Sequence, residues 1–119
     1  MSVARGDVVL VDFPQAPGSA SKRRPAVVVQ SDHNNVRLTN SIFAMVSGNV
    51  RLAANEPAQV LIDVATLDGQ QTGLRRTSAV KCENPYTLPQ SVVIQTIGRM
   101  SDALMRQVDD ALKSSLELP

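Results

Sequence analysis

The feature that most constrains the fold is an apolar strand that directly follows a long, proline-rich loop. Residues 25–30 (Pro-Ala-Val-Val-Val-Gln) place four small or β-branched side chains in a row, which is typical of a buried strand. The preceding segment, 14–23, is longer than the hairpin loops of about two to five residues that usually join two strands. Long ordered loops often bind ligands. We therefore predict a binding loop that ends in Lys22 and Arg23, with Arg24 held in an extended backbone by the proline that follows it.

The composition indicates one ordinary globular domain, residues 1–119. Apolar residues make up 43% of the chain and charged residues 19%, which suffices for a core without disulfides. The only cysteine, Cys82, excludes an intrachain disulfide and suits a reducing compartment. There is no apolar run of about 20 residues and no signal-peptide pattern, so we expect a cytoplasmic protein without membrane contact. The net charge of +1 means that any nucleic-acid role depends on local clusters of cations.

Short apolar runs and one amphipathic segment predict a mainly β protein with a C-terminal helix. Further strands are predicted at residues 7–13, 41–47, 58–63, 78–83 and 92–97, with a turn at Asn84-Pro85. The first of these does not alternate cleanly, so we expect the core to cover one face and a partner chain the other. Ser101 is a suitable N-cap for a helix whose apolar residues continue to Leu116. A small SH3-like barrel fits this set of elements best.

The strand predicted at 78–83 brings ionisable side chains together. Its alternation places Lys81 and Glu83 on one face and Cys82 on the other, where we expect the cysteine to be a small buried apolar residue. His33 is the only histidine, so an acid–base mechanism that uses two histidines is excluded. One histidine and one cysteine are also too few for a zinc site, and we predict neither a metal nor a cofactor.

Several stretches resemble the MazF/PemK family of toxin endoribonucleases in the same order along the chain. They are residues 5–8 (Arg-Gly-Asp-Val), 24–32, 45–47 (Met-Val-Ser), 72–83 and 97–101. The resemblance implies the MazF/CcdB-like toxin fold, a homodimer and sequence-selective, metal-independent cleavage of single-stranded RNA such as mRNA. It also implies a MazE/PemI-like antitoxin that covers the RNA groove.

The resemblance places the family's catalytic candidates on five residues of this chain, and we predict a catalytic role for all of them except Cys82. The family arginine falls on Arg24 and the family threonine on Ser47, where a hydroxyl is retained. A basic–Cys–acidic triplet, more often arginine and aspartate at its ends, falls on Lys81-Cys82-Glu83. Cleavage through the RNA 2′-hydroxyl needs a base, an acid and donors to the phosphate. Arg24 and Ser47 suit the phosphate, Glu83 is the best available base, and Lys81 can act as the acid or share charge stabilisation.

RNA binding is predicted from cations and the few available aromatic residues. Two basic clusters, at 22–24 and at Arg75-Arg76 with Lys81, can form a positive groove. Tyr86 and Phe13 are the candidates for base stacking. The predicted substrate-binding residues are Lys22, Arg23, Asn49, Arg75 and Tyr86.

Three other functions are compatible with the same barrel. A related toxin family with this architecture binds DNA gyrase without cutting RNA, so the fold alone does not decide the function. An inactive nucleic-acid-binding relative is the second alternative, since three of the candidate catalytic residues differ from the commoner types. A protein-interaction module that binds proline-rich ligands is the third, and three aromatic residues are few for it.

Overall fold

The computed structural model describes residues 2–13 and 22–119, which form a six-stranded antiparallel sheet and three α-helices. The strands are β1 (Asp7–Phe13), β2 (Lys22–Val28), β3 (Asn40–Ser47), β4 (Gln59–Ile62), β5 (Ser78–Pro89) and β6 (Val93–Arg99). The helices are α1 (Asp32–Arg37), α2 (Leu67–Gln71) and α3 (Asp102–Leu116), and a 3-10 turn at Gln90–Val92 precedes β6. The strand order is β4-β5-β3-β2-β1-β6, and the described pairings do not join β4 to β6. The predicted mainly β fold with a C-terminal helix is confirmed, as a barrel that is not closed by hydrogen bonds.

Both faces of β1 are covered by the chain itself. On β1, Val8 belongs to the core cluster beneath α3, whereas Val9 and Val11 belong to a second cluster on the opposite face. All three side chains are fully buried. The prediction that both faces of β1 are buried is confirmed. The second face, however, packs against residues of the same chain such as Phe43 and Leu88, and not against a partner chain.

The C-terminal helix begins and packs as its sequence predicts. The hydroxyl of Ser101 accepts a hydrogen bond from the backbone N–H of Leu104 at 3.1 Å, which caps the first turn of α3. Met105, Val108 and other apolar residues of one helix face join the core beneath the sheet. The polar face of α3 remains in solvent, as expected for an amphipathic surface helix.

Two local predictions need correction, and one helix was missed. Strand β2 begins at Lys22, so Lys22 and Arg23 belong to the strand and not to the loop; residues 14–21 of that loop lie outside the described residues. The prediction of a turn at Asn84-Pro85 is wrong, because β5 continues through these two residues. Strand β3 pairs with β5 on both sides of this point, and a register shift between Phe43 and Met45 absorbs the extra residues as a bulge. Helix α2 was not predicted.

Backbone contact between Thr72-Gly73 and β6 fixes the segment that leads into β5. A β-carbon on Gly98 would lie 2.3 Å from the carbonyl group of Thr72, and one on Gly73 would lie 2.0 Å from the carbonyl oxygen of Ile97. Gly73 also has a φ of +75°, which side chains disfavour. Only glycine fits at these two positions, and the contact places residues 74–76 next to the ends of β2 and β3.

Candidate functional site

A cleft of about 580 Å³ lies where β2 and β3 approach the segment before β5. Its floor is apolar and includes Leu10, Val46 and Ile97. Its rim carries hydroxyl and cationic side chains contributed by three separate parts of the chain. They are Lys22, Arg23 and Arg24 of β2, Ser47 at the end of β3, Arg75 and Arg76 before β5, and Ser78 at its start.

The ionisable groups that line this cleft are all cationic. Lys22, Arg23, Arg24, Arg75 and Arg76 line it, and no aspartate or glutamate does. Within residues 2–13 and 22–119, ion pairs form only at other places, one between Arg5 and Asp109 and one between Arg99 and Asp7. Five cations without an acidic partner create a local positive potential on a chain of net charge +1. Such a cleft is suited to a polyanion.

Arg24 occupies the position that the sequence predicts. It lies in β2, paired with Val11 of β1, so its backbone is extended as expected from the proline that follows it. Ala26 pairs with Met45 of β3, and continuing this register by two residues brings Arg24 level with Ser47. Both residues line the cleft. Two of the predicted catalytic residues are thus brought together by neighbouring strands.

The hydroxyl of Ser47 is oriented by the turn that follows β3. Its Oγ accepts a hydrogen bond from the backbone N–H of Asn49 at 3.1 Å, and the Oδ1 of Asn49 accepts one from the N–H of Arg51 at 3.2 Å. Among the described residues, the hydroxyl proton of Ser47 has no acceptor. Ser47 can therefore donate to a bound anion, while Asn49 shapes the turn beside the cleft and is not among its lining residues.

Lys81 and Glu83 lie on β5, outside the cleft lining. Ser47 pairs with Ala79 and Met45 pairs with Lys81, so Lys81 is about 7 Å farther along β5 than the residue opposite Ser47. The length of an extended lysine side chain is close to that separation. Glu83 lies two residues beyond Lys81, and its carboxylate accepts a hydrogen bond from Nε2 of Gln59 at 2.8 Å.

Gln59 is a residue that sequence analysis missed. It begins the edge strand β4, where it lies opposite Lys81, and its side chain donates a hydrogen bond to Glu83. Gln59 therefore adjoins both residues of the predicted acid–base pair. It is only 7% exposed, and its Oε1 has no hydrogen-bond partner among the described residues. The signal in the sequence was a glutamine inside an otherwise apolar run.

The predicted base-stacking pair borders the cleft without lining it, since Phe13 pairs with Lys22 across the strands. Phe13 and Tyr86 pack edge to face with ring centroids 4.9 Å apart, and Tyr86 remains 39% exposed. Tyr86 is opposite Phe43 in the sheet and does not line the cleft. The structure therefore brings Lys22, Arg23 and Arg75 into one cleft lining with Arg24 and Ser47. Tyr86 is not part of that lining, but it packs on Phe13 beside Lys22.

The two other reactive residue types are placed as the sequence indicates. Cys82 is fully buried, and burial, with a smaller effect of the Glu83 charge, raises the pKa of its thiol to about 12. It is therefore an apolar core residue and not a nucleophile. His33 is exposed on α1, away from the cleft lining.

Across the parts of the chain that are described, no group of three or more His, Cys, Asp or Glu side chains is arranged to hold a metal ion. None of the described helices combines the length and the apolar character needed to cross a bilayer.

Comparison with known proteins identifies relatives across nearly the whole chain. The model of the family "PemK-like, MazF-like toxin of type II toxin-antitoxin system" matches residues 4–116. Endoribonuclease MazF9 of Mycobacterium tuberculosis is 35% identical over 118 residues, covering 96% of each chain. Endoribonuclease MazF6 of the same species is 33% identical over 120 residues, covering 99% of this chain and 100% of the relative.

Solved structures share the fold. A mycobacterial endoribonuclease in complex with its cognate antitoxin superimposes with a TM-score of 0.78 at 21% identity, covering 99% of this chain and 98% of the other. MazF in a MazE–MazF complex from Deinococcus radiodurans gives a TM-score of 0.77 at 20% identity, covering 100% and 99%. Since the family model spans the sheet, the cleft and α3, the chain belongs to the PemK-like, MazF-like toxins of type II toxin–antitoxin systems.

Proposed function

We propose that this protein is an endoribonuclease toxin that cuts single-stranded RNA in the cytoplasm without a metal ion and is neutralised by a cognate antitoxin. The observation that carries the proposal is the cleft in which Arg24 and Ser47 meet among five cations and no carboxylate. The curated relatives named endoribonuclease support the activity, and the toxin–antitoxin complexes among the similar structures support the partner.

The substrate class follows from the chemistry of the cleft. A phosphodiester backbone presents a regular row of anions, and arginine binds phosphate with two parallel hydrogen bonds. The apolar floor formed by Leu10, Val46 and Ile97 can receive the sugar or base between phosphates. Single-stranded RNA is favoured over a duplex because an unpaired strand can enter a cleft of this size.

The cleavage step needs no water molecule. The 2′-oxygen of the ribose attacks the adjacent phosphorus, the bond from phosphorus to the 5′-oxygen breaks, and the products are a 2′,3′-cyclic phosphate and a 5′-hydroxyl. One proton leaves the 2′-hydroxyl and one is delivered to the 5′-oxygen. Arg24 stabilises the extra negative charge on the phosphorane, and the free hydroxyl proton of Ser47 donates to one of its oxygens.

Proton transfer is assigned to the pair on β5. Glu83 is the proposed base and Lys81 the proposed acid, since the residues lining the cleft supply no carboxylate or imidazole. Lys81 lies beside Met45, two residues along β5 from the residue opposite Ser47, and this closeness supports its assignment. Glu83 is farther along the strand, so the RNA must extend from Ser47 over β5 for this assignment to operate.

Incubation of the pure protein with long single-stranded RNA in excess EDTA tests the function. The proposal predicts discrete cuts, mapped by primer extension, with cyclic phosphate and 5′-hydroxyl ends. A protein with Arg24→Ala, purified in parallel, controls for contaminating nucleases. Absence of cutting by the wild type would contradict the proposal, and a DNA gyrase supercoiling assay would then test the alternative toxin activity. Inhibition of cutting by a stoichiometric amount of the cognate antitoxin, and a homodimer mass by light scattering, test the two proposed partners.

A further inference from the structure

Gly48 and Arg76 are in direct contact beside the cleft. A β-carbon placed on Gly48 would lie 2.7 Å from Nη2, 2.9 Å from Cζ and 3.0 Å from Nε of Arg76. These three atoms belong to one planar group, so the guanidinium of Arg76 rests against the backbone at Gly48. Any larger residue at position 48 would push this group away.

The contact holds a cation that has no acidic partner. The ion pairs of the described ranges involve other arginines, and both Arg76 and Gly48 line the cleft together with Ser47. The carbonyl oxygen of Arg76 accepts a hydrogen bond from the hydroxyl of Ser78 at 2.8 Å, which fixes its backbone. The side chain is thus restrained at both ends while its charge stays available to a ligand.

Restraint of this kind favours binding. An arginine side chain loses rotamer freedom when it binds a ligand. Packing that limits this freedom in the unbound protein lowers the entropic cost of binding. Gly48 follows Ser47 directly. The Arg76 guanidinium, which contacts Gly48, therefore lies one residue away from the Ser47 hydroxyl, the proposed donor to the scissile phosphate. A phosphate next to the scissile one lies within reach of that group.

We propose that Gly48 is a positioning residue, whose missing side chain seats the Arg76 guanidinium beside Ser47 to bind an RNA phosphate next to the one that is cleaved. This inference rests on the proposed RNA substrate. It assigns to Arg76 a contact with the RNA backbone and to Gly48 an effect that operates only through Arg76.

The position allows a clean substitution. Gly48 is exposed, and its φ is not in the left-handed region. The three atoms nearest to an added β-carbon all belong to the end of one flexible side chain. Gly48→Ala therefore moves Arg76 without disturbing the sheet, and its melting temperature is expected to match that of the wild type.

A double-substitution experiment tests the coupling. The probe is a fluorescent 2′-O-methyl oligoribonucleotide of randomised sequence, which cannot be cut because its 2′-oxygen is blocked. Its Kd is measured by anisotropy over a series of KCl concentrations. Arg76→Ala and Gly48→Ala are each expected to raise Kd about three- to tenfold and to reduce the salt slope of log Kd by about 0.7, the value for one contact with a single-stranded phosphate.

The combination of variants identifies the cause. In the Arg76→Ala background, Gly48→Ala is expected to have no further effect. In the Arg75→Ala background, the matched control, it is expected to have its full effect. Arg76→Lys, which keeps the charge on a thinner and more flexible group, is expected to make binding insensitive to Gly48→Ala.

Three results would overturn the inference. One is wild-type affinity and salt slope in Gly48→Ala, and another is independent, multiplying effects of Gly48→Ala and Arg76→Ala. Either of these, in a protein that still cuts RNA, would remove the inference and leave the proposed function intact. A wild type that neither binds the probe nor cuts RNA would remove both.

Discussion

The Nε2 of Gln59 donates a hydrogen bond to Oε2 of Glu83 at 2.8 Å, and this bond links the edge strand β4 to the proposed general base on β5. The other amide atom, Oε1, is buried and unpaired among the described residues. A buried polar atom without a partner lowers stability, so this glutamine is not explained by folding alone. Its geometry accounts instead for the orientation of the Glu83 carboxylate.

Substitutions at these two residues test the assignment of the base. Glu83→Gln is expected to lower kcat about 10²- to 10⁴-fold, because it removes the proposed base. Gln59→Met is expected to lower kcat about tenfold with KM unchanged, since Glu83 remains but is less well oriented. Its melting temperature should change little, because the lost hydrogen bond is offset by removal of the unpaired oxygen. A Glu83→Gln enzyme with the wild-type kcat would contradict the assignment.

The hydroxyl at position 47 is expected to act in the transition state. Ser47→Ala removes a donor to the phosphate and is expected to lower kcat about ten- to a hundredfold with a small change in KM. Ser47→Thr keeps the hydroxyl and is the matched control, with activity within a few-fold of the wild type. Steady-state kinetics on a short RNA measure both. A Thr variant as inactive as the Ala variant would show that packing, and not the hydroxyl, is required.

The thiol of Cys82 is expected to be inert in the folded protein. Because burial raises its pKa to about 12 from an ordinary 9.0, the folded state holds the proton more tightly than the unfolded state. Stability is therefore expected to fall as the pH rises above about 9, and Cys82→Ala should remove this dependence. A thiol reagent such as Ellman's reagent should react at pH 8 only after unfolding. Rapid reaction with the native protein would contradict the burial.

Asp32 is expected to make the protein sensitive to acid. The backbone N–H of Arg5 donates to its Oδ1 at 2.7 Å, and this hydrogen bond, assisted by Asn35, holds the pKa of the carboxyl below its ordinary 3.8. A lowered pKa gives stability that is present above the ordinary value and is lost as the pH falls through the folded-state value. Urea unfolding midpoints measured through this range should fall less steeply for Asp32→Asn. Identical slopes for both proteins would contradict the role of this carboxylate.

The elements that local pattern determines were predictable, and those that depend on distant pairing were not. The bounds of β1 and the Ser101 cap of α3 follow from apolar periodicity and capping chemistry. The predicted turn at Asn84-Pro85 does not form, because pairing with β3 on both sides outweighs the local preference of these residues. Lys22 and Arg23 were predicted to lie in a loop, because only their pairing with Phe13 and Asp12 makes them part of a strand.

The site residues also fall into those that local sequence predicts and those that depend on distant contacts. Arg24 could be singled out because the proline after it fixes the backbone locally, and the motif resemblance added Ser47. The Gln59–Glu83 bond and the seat of Arg76 on Gly48 join residues more than 20 positions apart. Such contacts are set by the register of the sheet and by close backbone approach, and a single sequence does not specify either.

The single-turnover cleavage rate of Arg24→Ala in excess EDTA decides whether this cleft cuts RNA. The matched control is Arg106→Ala, which removes the same charge from the exposed face of α3. For Arg24→Ala we predict a rate about 10²- to 10³-fold below the wild type, with wild-type melting temperature, and for Arg106→Ala we predict no change. Cleavage by Arg24→Ala at the wild-type rate, with the same cut sites and ends, would contradict the claim that this cleft cuts RNA.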